Sequence, residues 1–426
     1  MKADRVMLSN IRESIINIYK NDTKRFCLAQ ILFIASISFG WFLPDGYRRG
    51  LFLLAILLLN KSQRKVDVMR YWKGLARIGG LILIALFLWV TLIPLFFSVE
   101  PFGERILGMA RPIEVFLYCV GVMIFAKDDF FTKNLCSFSI ISAIFISLFA
   151  FTRRLLLSFS AIRDDWVFGM HAALAGLILS SLLPWIFYAI CSKNTDRHRR
   201  IFYIIALFLS LTAIFVTYYR TIWLAVIAQI IIAVPLSYYC FNANLLNHKK
   251  LLVTIIILIT TAFTYSYHVS FTVRNNIARS MYICSDFEAF TSRRGEIWVE
   301  AISLISKRKL GGYGWVSYDD FAVIKKHHPH SSYLEAAFHA GIPAAILYCA
   351  ALLIFFLLAL RYIFTKTKPC SIPYVVSLMI LASAVAGLTE AFFFVSREYL
   401  IPFWSMVSML ISPLFVKRKL EVYYDE

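Results

Sequence analysis

The side chain best suited to proton transfer in this chain is that of His330, in the segment 329–335, which reads PHSSYLE. A long polar stretch passes here into an apolar, helix-forming one. An imidazole near its neutral point can take a proton from a hydroxyl group. The positive end of the following helix should keep this ring uncharged. His330 is therefore a candidate general base, and a plain polar loop histidine is the alternative that spacing alone leaves open.

Three arginines are candidates for holding a phosphate group, because the planar guanidinium can bind it through two parallel hydrogen bonds. Arg220 stands between two apolar stretches with no acidic neighbour in sequence. Arg293 and Arg294 open an amphipathic stretch, where arginines oppose the helix dipole and so do not serve local stability. The alternatives are snorkelling to lipid headgroups for Arg220 and a solvated loop edge for the basic pair.

Glu390 is an acid in an apolar stretch, so it needs a cationic partner. Arg397 follows about two helical turns later, and a structural ion pair between the two is the favoured interpretation. Glu335 and Ser332 have the spacing of a capping box, which explains the acid without catalysis. His171, near the start of another apolar stretch, either lines a cleft or packs inside.

A metal site is not predicted at the histidine cluster that contains His327, His328 and His330. The spacing is not that of ligands on one helix face, and no clear carboxylate or cysteine partner is seen for a tetrahedral set. His339 is expected to pack at an interface. No cofactor is expected.

Composition predicts a polytopic α-helical membrane protein, because 60% of the 426 residues are apolar and only 16% are charged. Twelve membrane spans are expected. They lie near 26–44, 47–60, 78–98, 108–126, 132–152, 167–191, 201–219, 221–240, 251–268, 343–363, 372–392 and 399–416. The net charge of +19 does not indicate nucleic acid, since the basic residues lie in short loops between spans. The eight cysteines form no metal or disulfide pattern.

Loop charge predicts the orientation, because the positive-inside rule places both termini and most loop lysines and arginines in the cytoplasm. The long loop 269–331 then lies outside, and a loop of this length usually carries function. Within it, 294–307 has the apolar stripe of a helix, and 311–315 (GGYGW) predicts a tight turn. A short helix should run from Tyr333 to about Gly341, with Pro343 in the first turn of the next span.

Three parts of one membrane domain follow from this plan. Residues 1–268 hold nine spans, 269–342 form the outer loop with the histidine motif, and 343–426 hold three spans and a cytoplasmic tail.

The segment from His330 to Pro343 resembles the signature of the O-antigen ligase and polymerase superfamily. His330, Ser331 and Gly341 fit its pattern, whereas Ala344 replaces a final glycine. Arg220 is similar to a family arginine between two central spans, and Arg294 to a loop arginine followed by an aromatic residue. The glycine turn and the single large outer loop also resemble that family. The motifs cover about 215–345.

The resemblance implies a membrane-embedded glycosyltransferase of the GT-C-like type in the bacterial inner membrane, with its site in the periplasm. The donor would be a polysaccharide on undecaprenyl pyrophosphate, and the acceptor a sugar hydroxyl of lipid A–core. His330 would be the base, Arg220, Arg293 and Arg294 would hold pyrophosphate without a metal, and the anomeric centre would invert. Supporting roles are open for four residues: Ser331, Glu390, Arg397 and His171. Three further arginines of an outer loop could bind anionic lipid or core phosphate: Arg153, Arg154 and Arg163.

Two other functions stay open. A polymerase that extends the lipid-linked glycan is the closer one, although the R-x10-G repeats typical of such polymerases are absent from this chain. A lipid-linked oligosaccharide flippase is less favoured. Transporters usually show internal repeats and binding residues at mid-membrane. Here the candidate residues gather at one face.

Overall fold

The computed structural model describes most of the chain in eleven stretches. They are 22–39, 45–59, 74–158, 166–167, 170–192, 195–217, 219–241, 294–324, 328–365, 371–390 and 397–412.

The described residues form twelve α-helices. In chain order they are α1 (Asp22–Ser38), α2 (Asp45–Leu57), α3 (Leu75–Phe97), α4 (Phe102–Phe125), α5 (Asp129–Ser158), α6 (Ala172–Cys191), α7 (Arg197–Val216), α8 (Arg220–Phe241), α9 (Arg294–Lys307), α10 (Ser332–Phe364), α11 (Ser371–Ala386) and α12 (Arg397–Ser408). Two-residue strands β1 (Trp166–Val167) and β2 (Met170–His171) pair antiparallel before α6, and short 3₁₀ turns cover Tyr318–Asp320 and Met409–Ile411.

Seven of the described helices are long and apolar enough to cross a bilayer, namely α3 to α8 and α10. This confirms a multi-pass helical membrane protein. The expected spans near 26–44, 47–60 and 399–416 correspond to the shorter helices α1, α2 and α12. The expected span 251–268 lies outside the described residues, so the count of twelve spans stays a prediction.

Two predicted spans have wrong boundaries. The span 167–191 begins with the β1–β2 hairpin, so its helix starts only at Ala172. The span 372–392 ends early, because α11 stops at Ala386 and 387–390 form a turn. There the Gly387 carbonyl accepts a hydrogen bond from the Ser332 backbone N–H at 2.9 Å, and the helix does not continue. Glu390 therefore lies in a turn at the end of α11.

The core of the bundle is formed by α6 and α11, whose residues are buried almost all round. Helix α11 packs against α6, α8 and α10, and α3 packs along α10. A helix that is apolar on every side is stable only when other helices surround it. This packing fixes the end of α11, which carries Glu390, relative to the start of α10.

Helix α10 is broken near its start, where Ala340 and Gly341 leave helical geometry. The break separates a short helix, 332–339, from the long span that contains Pro343, as the sequence predicts. The Ala340 carbonyl accepts from Trp89 Nε1 at 2.9 Å, and the Ile342 N–H donates to the Lys309 carbonyl at 2.7 Å. Backbone groups that the break releases are therefore satisfied inside the protein, as a bilayer requires.

The predicted glycine turn, 311–315, docks on this break. The Tyr313 N–H donates to the Phe338 carbonyl at 2.8 Å, and the Gly314 N–H to the His339 carbonyl at 3.0 Å. Gly312 has φ +62°, and a Cβ there would stand 2.6 Å from the His339 backbone. The turn thus requires glycine for both its conformation and its close approach. The predicted helix 294–307 is confirmed as α9, with Ile297, Ala301, Leu304 and Ile305 buried.

Substitution of Gly341 should be costly. Its φ is +81° and ψ is 169°, a region open almost only to glycine, and a Cβ would lie 2.2 Å from the Leu310 carbonyl oxygen. Gly341→Ala should destabilise the fold by about 2 to 4 kcal/mol, which a lowered Tm in detergent would show. Gly50→Ala is the matched control, because Gly50 is helical and has nothing within 4 Å of the added carbon. Equal Tm values for both variants would contradict the close packing at the break.

Candidate active site

Glu390 is the centre of a polar cluster at the end of the bundle where α8, α9 and the short helix of α10 begin. Its carboxylate is buried and accepts a hydrogen bond from Arg294 Nη2 at 2.8 Å. The second carboxylate oxygen lies 4.0 Å from His330 Nδ1. One acid therefore joins two of the predicted site residues, although Arg294 and Glu390 are far apart in sequence.

Burial alone would raise the pKa of the Glu390 carboxyl, because a charge is costly away from water. The neighbouring His330 ring and the charge and hydrogen bond of Arg294 outweigh burial and lower that pKa below its ordinary value of 4.5. The carboxylate is therefore ionised at neutral pH. The guanidinium at this carboxylate in the described residues belongs to Arg294. The predicted ion pair between Glu390 and Arg397 stays a prediction, because the Arg397 side chain lies outside the described part of the structure.

Arg294, the first residue of α9, holds the turn after α11 with two hydrogen bonds. Besides Glu390, its Nη1 donates to the Thr389 carbonyl. A guanidinium has five N–H groups in a planar fork. Two are used within the described residues, and the side chain is 19% exposed, so an anion can reach the guanidinium. Arginine at the start of a helix opposes its dipole, and Glu390 compensates for that cost.

His330 has an unusual backbone conformation, with φ +49°, just before α10. A left-handed residue other than glycine costs on the order of 1 kcal/mol, so neighbouring structure must maintain it. The residue before it, Pro329, is buried, and the backbone N–H of His330 donates to His328 Nδ1 at 3.3 Å. The side chain is 24% exposed, with Nδ1 turned towards Glu390. The ring is thus held against a carboxylate while part of it stays accessible.

The start of α8 lies at the same turn. Arg220 is the first residue of α8, and the next residue, Thr221, shares a hydrogen bond of 2.5 Å with the Thr389 hydroxyl. Thr389 is also the residue whose carbonyl Arg294 holds. The backbone of Arg220 is therefore close to the cluster, while its side chain lies outside the described part of the structure.

Ser331 and Ser332 connect α10 to the same turn. Ser331 is the residue before α10 and its hydroxyl donates to the Gly387 carbonyl at 3.4 Å, while the Ser332 hydroxyl donates to the Glu390 carbonyl at 2.8 Å. The predicted capping box is wrong, because the Ser332 backbone N–H, which the Glu335 carboxylate would accept, donates instead to the Gly387 carbonyl. Tertiary contact with the end of α11 takes both hydroxyls instead.

Glu335 is fully buried, with Oε1 4.0 Å from Nε2 of His339 one turn later. It therefore does not have the capping role that the sequence suggested. His339 is buried as expected, with Nδ1 2.6 Å from the Gly314 carbonyl and its ring stacked on Trp315. These contacts link the short helix to the glycine turn.

Several predicted residues lie outside what the structure describes. Arg293 and Arg163 fall in undescribed stretches. Of Arg153, Arg154, His171 and Arg397 only the backbone is described, in α5, β2 and α12. Their proposed roles stay predictions. Among the described residues, no group of three His, Cys, Asp or Glu side chains could hold a metal ion.

Comparison with known proteins bears on the stretch that carries most of these residues. Residues 205–349 match the family model described as O-antigen ligase. This stretch is similar to the O-antigen ligase family. The matched stretch includes Arg220, Arg294, His330, Ser331 and Gly341, and the match confirms the superfamily resemblance. No curated protein matches the chain.

Two parts of the site were missed from sequence. Thr389 and Thr221 lie between the starts of α8 and α9, and Arg294 is a partner of Glu390 that the sequence did not indicate. An acid in an apolar stretch signals that a cation must be near. Nothing in sequence order signals which one, because Arg294 and Glu390 meet only through tertiary packing of α9 and α11 around α10.

Removing the Glu390 charge should be destabilising in a pH-dependent way. Glu390→Gln leaves Arg294 without its carboxylate, and breaking a buried pair costs about 3 kcal/mol. Because the carboxyl pKa is lowered in the folded state, the contribution is present above pH 4.5 and is lost as pH falls through the lowered pKa. The Tm difference between wild type and Glu390→Gln should therefore be large at pH 7 and shrink in acid. Glu296→Gln, exposed on α9, is the control, and a pH-independent difference would contradict the ion pair.

Proposed function

We propose that this protein is an O-antigen ligase. It transfers a polysaccharide from undecaprenyl pyrophosphate to a sugar hydroxyl of lipid A–core, at the periplasmic face of the bacterial inner membrane. The observation that carries the proposal is the convergence of His330 and Arg294 on the ionised Glu390. That arrangement brings a proton acceptor and a permanent cation together. His330 and Arg294 both lie in the stretch that matches the O-antigen ligase family model.

In the proposed reaction, His330 is the general base. Nε2 of the ring takes the proton from the acceptor hydroxyl as its oxygen attacks the anomeric carbon of the donor. Glu390, beside Nδ1, orients the ring and stabilises the imidazolium that forms. The proton leaves later to solvent, since the ring is partly exposed. Attack from the face opposite the leaving group inverts the anomeric centre.

The bond that breaks joins the anomeric carbon to the pyrophosphate oxygen, and undecaprenyl pyrophosphate departs with that electron pair. Arg294 donates to the departing oxygens and offsets their growing charge. Arg220 is proposed to do the same from the start of α8, and Arg293 from beside Arg294. Fixed guanidinium groups give this stabilisation without reorganisation at the moment of reaction.

A deletion strain in a bacterium that makes O-antigen tests the proposal. Loss of a ligase leaves full-length polymer on the carrier lipid and none on lipid A–core. Loss of a polymerase instead leaves single units attached to the core, and loss of a flippase leaves lipid-linked glycan on the cytoplasmic side. Polymer accumulation that the wild-type gene relieves supports the ligase. Single-unit attachment would overturn it in favour of the polymerase.

A further inference from the structure

A cavity of about 500 Å³ opens beside the glycine turn. Its walls come from the start of α2, the α3–α4 connection, the start of α4 and Trp315. The volume is within the range of pockets for small organic ligands. The charged side chains in its lining are three acids, Asp45, Glu100 and Glu104, and two arginines, Arg49 and Arg111.

One wall of the cavity is supported by a partly buried ionic network, in which Arg48 and Glu114 are the buried members. Arg48 is fully buried and donates to Asp45 at 2.8 Å and to Glu114 at 3.1 Å. Arg49, which lines the cavity, donates to both oxygens of Glu114, at 3.2 and 2.8 Å. Burying charges costs free energy even when they are paired, so such a network is not explained by stability. It does hold the polar lining in fixed positions.

Another wall carries an aromatic ring held in place. Gly108 of α4 lies against Trp315 so closely that a Cβ would stand 2.5 Å from Cδ1 of the ring. The ring also stacks on His339, with centroids 5.3 Å apart, and the Trp315 backbone N–H donates to Glu100 at 3.2 Å. Hydrogen-bond acceptors, arginine donors and one flat apolar ring therefore face the same space.

This lining fits a saccharide better than a phosphate. Carboxylates accept hydroxyl hydrogens and guanidinium groups donate to hydroxyl oxygens, while the C–H face of a sugar ring packs on an aromatic ring. Three acids against two arginines give no excess of positive charge for an anion. The exposed side chains of Phe102, Ile106 and Leu107 next to the cavity provide an apolar surface for a lipid-anchored saccharide.

The cavity and the proposed phosphate site lie at opposite ends of the short helix of α10. His330 precedes Ser332 at one end, and His339, which contacts Trp315, lies at the other. Eight residues of helix separate the ends by roughly 12 Å. A sugar bound in the cavity is thus too far from His330 to react. When another sugar of the same saccharide reacts at His330, however, its neighbours can reach the cavity.

We infer that the cavity lined by Arg49, Glu104, Arg111 and Trp315 binds saccharide residues of the glycolipid acceptor. It thereby aligns the reacting hydroxyl with His330. This inference rests on the proposed function, and it adds an acceptor subsite distinct from the cluster around Glu390. The donor's pyrophosphate is assigned to the arginine end of the short helix, so the opposite end is left to the acceptor.

Direct binding tests this subsite without relying on transfer. The probe is phosphate-free core oligosaccharide, titrated into full-length detergent-purified protein by calorimetry. Glu104→Gln and Arg111→Gln each remove one charged hydrogen-bond partner and should raise the Kd for the oligosaccharide about tenfold. Two exposed residues away from the cavity provide matched controls, Asp320→Asn and Lys307→Gln, and should bind as wild type does. Unchanged Tm in all four variants verifies folding.

Kinetics and a third variant separate the possible outcomes. The pocket variants should raise the KM for lipid A–core while leaving kcat and the donor KM unchanged. His330→Ala should bind the oligosaccharide normally, so loss of the proposed function leaves this measurement intact. Unweakened binding in Glu104→Gln and Arg111→Gln would overturn the subsite. So would a rise in donor KM alone, or displacement of the oligosaccharide by inorganic phosphate.

Discussion

Replacing His330 with alanine should reduce glycan transfer to lipid A–core by at least about 100-fold, as expected for loss of a general base. The reason is that no other described side chain is placed as this ring is, partly exposed and with one nitrogen against an ionised carboxylate. Transfer is measured with purified protein at saturating donor and acceptor, so that the effect appears in kcat.

Alanine at this position also faces the left-handed backbone at φ +49°. His330→Asn is therefore the second variant, because asparagine tolerates that conformation and cannot act as the base. Both variants should be equally inactive and should insert and fold like wild type. His198→Ala, at the exposed start of α7, is the matched control and should retain full activity. Substantial transfer by His330→Asn would exclude the base assignment.

Arg294→Lys should lower transfer by about 100-fold, close to the loss of one preorganised donor to a developing oxyanion. Lysine retains the charge but presents no planar fork. It cannot hold both Glu390 and the Thr389 carbonyl and still donate in parallel to a pyrophosphate. The expected change is a lower kcat and a higher donor KM, with an unchanged acceptor KM.

Arg77→Lys, exposed at the start of α3, tests whether any arginine substitution of this kind affects the assay. A fully active Arg294→Lys enzyme would show that a point charge is enough, and bidentate binding would then be wrong. An inactive enzyme with a strongly lowered Tm would instead identify Arg294 as structural, through its contacts with the turn after α11.

Local features of this fold were predictable from sequence because local rules decide them. The α9 helix follows from its apolar stripe. The glycine turn follows from its glycines, which adopt the positive φ that other residues avoid. The break at Gly341 follows from the same conformational argument, together with Pro343 after it. Span boundaries failed where tertiary contacts decide them. Gly387 ends α11 by bonding to Ser332, and no periodicity encodes that contact.

The site was predictable in part for the same reason. His330, Ser331 and Arg294 belong to recognisable short motifs, and their order along the chain resembles a known family. The partner of Glu390 was not predictable, because ion pairing between distant segments depends on how α9, α10 and α11 pack. The capping box was misassigned because the backbone N–H and the hydroxyl of Ser332 both donate to the turn after α11, to the Gly387 and Glu390 carbonyls.

Reconstitution of the reaction tests the central claim most directly. Purified protein, undecaprenyl-pyrophosphate-linked O-antigen and lipid A–core are combined in liposomes with a chelator present, and the products are analysed by mass spectrometry. The account predicts lipid A–core carrying the whole glycan, with free undecaprenyl pyrophosphate in equal amount and none of either from His330→Asn. Longer lipid-linked glycan with unmodified lipid A–core, or equal product from His330→Asn, would contradict it.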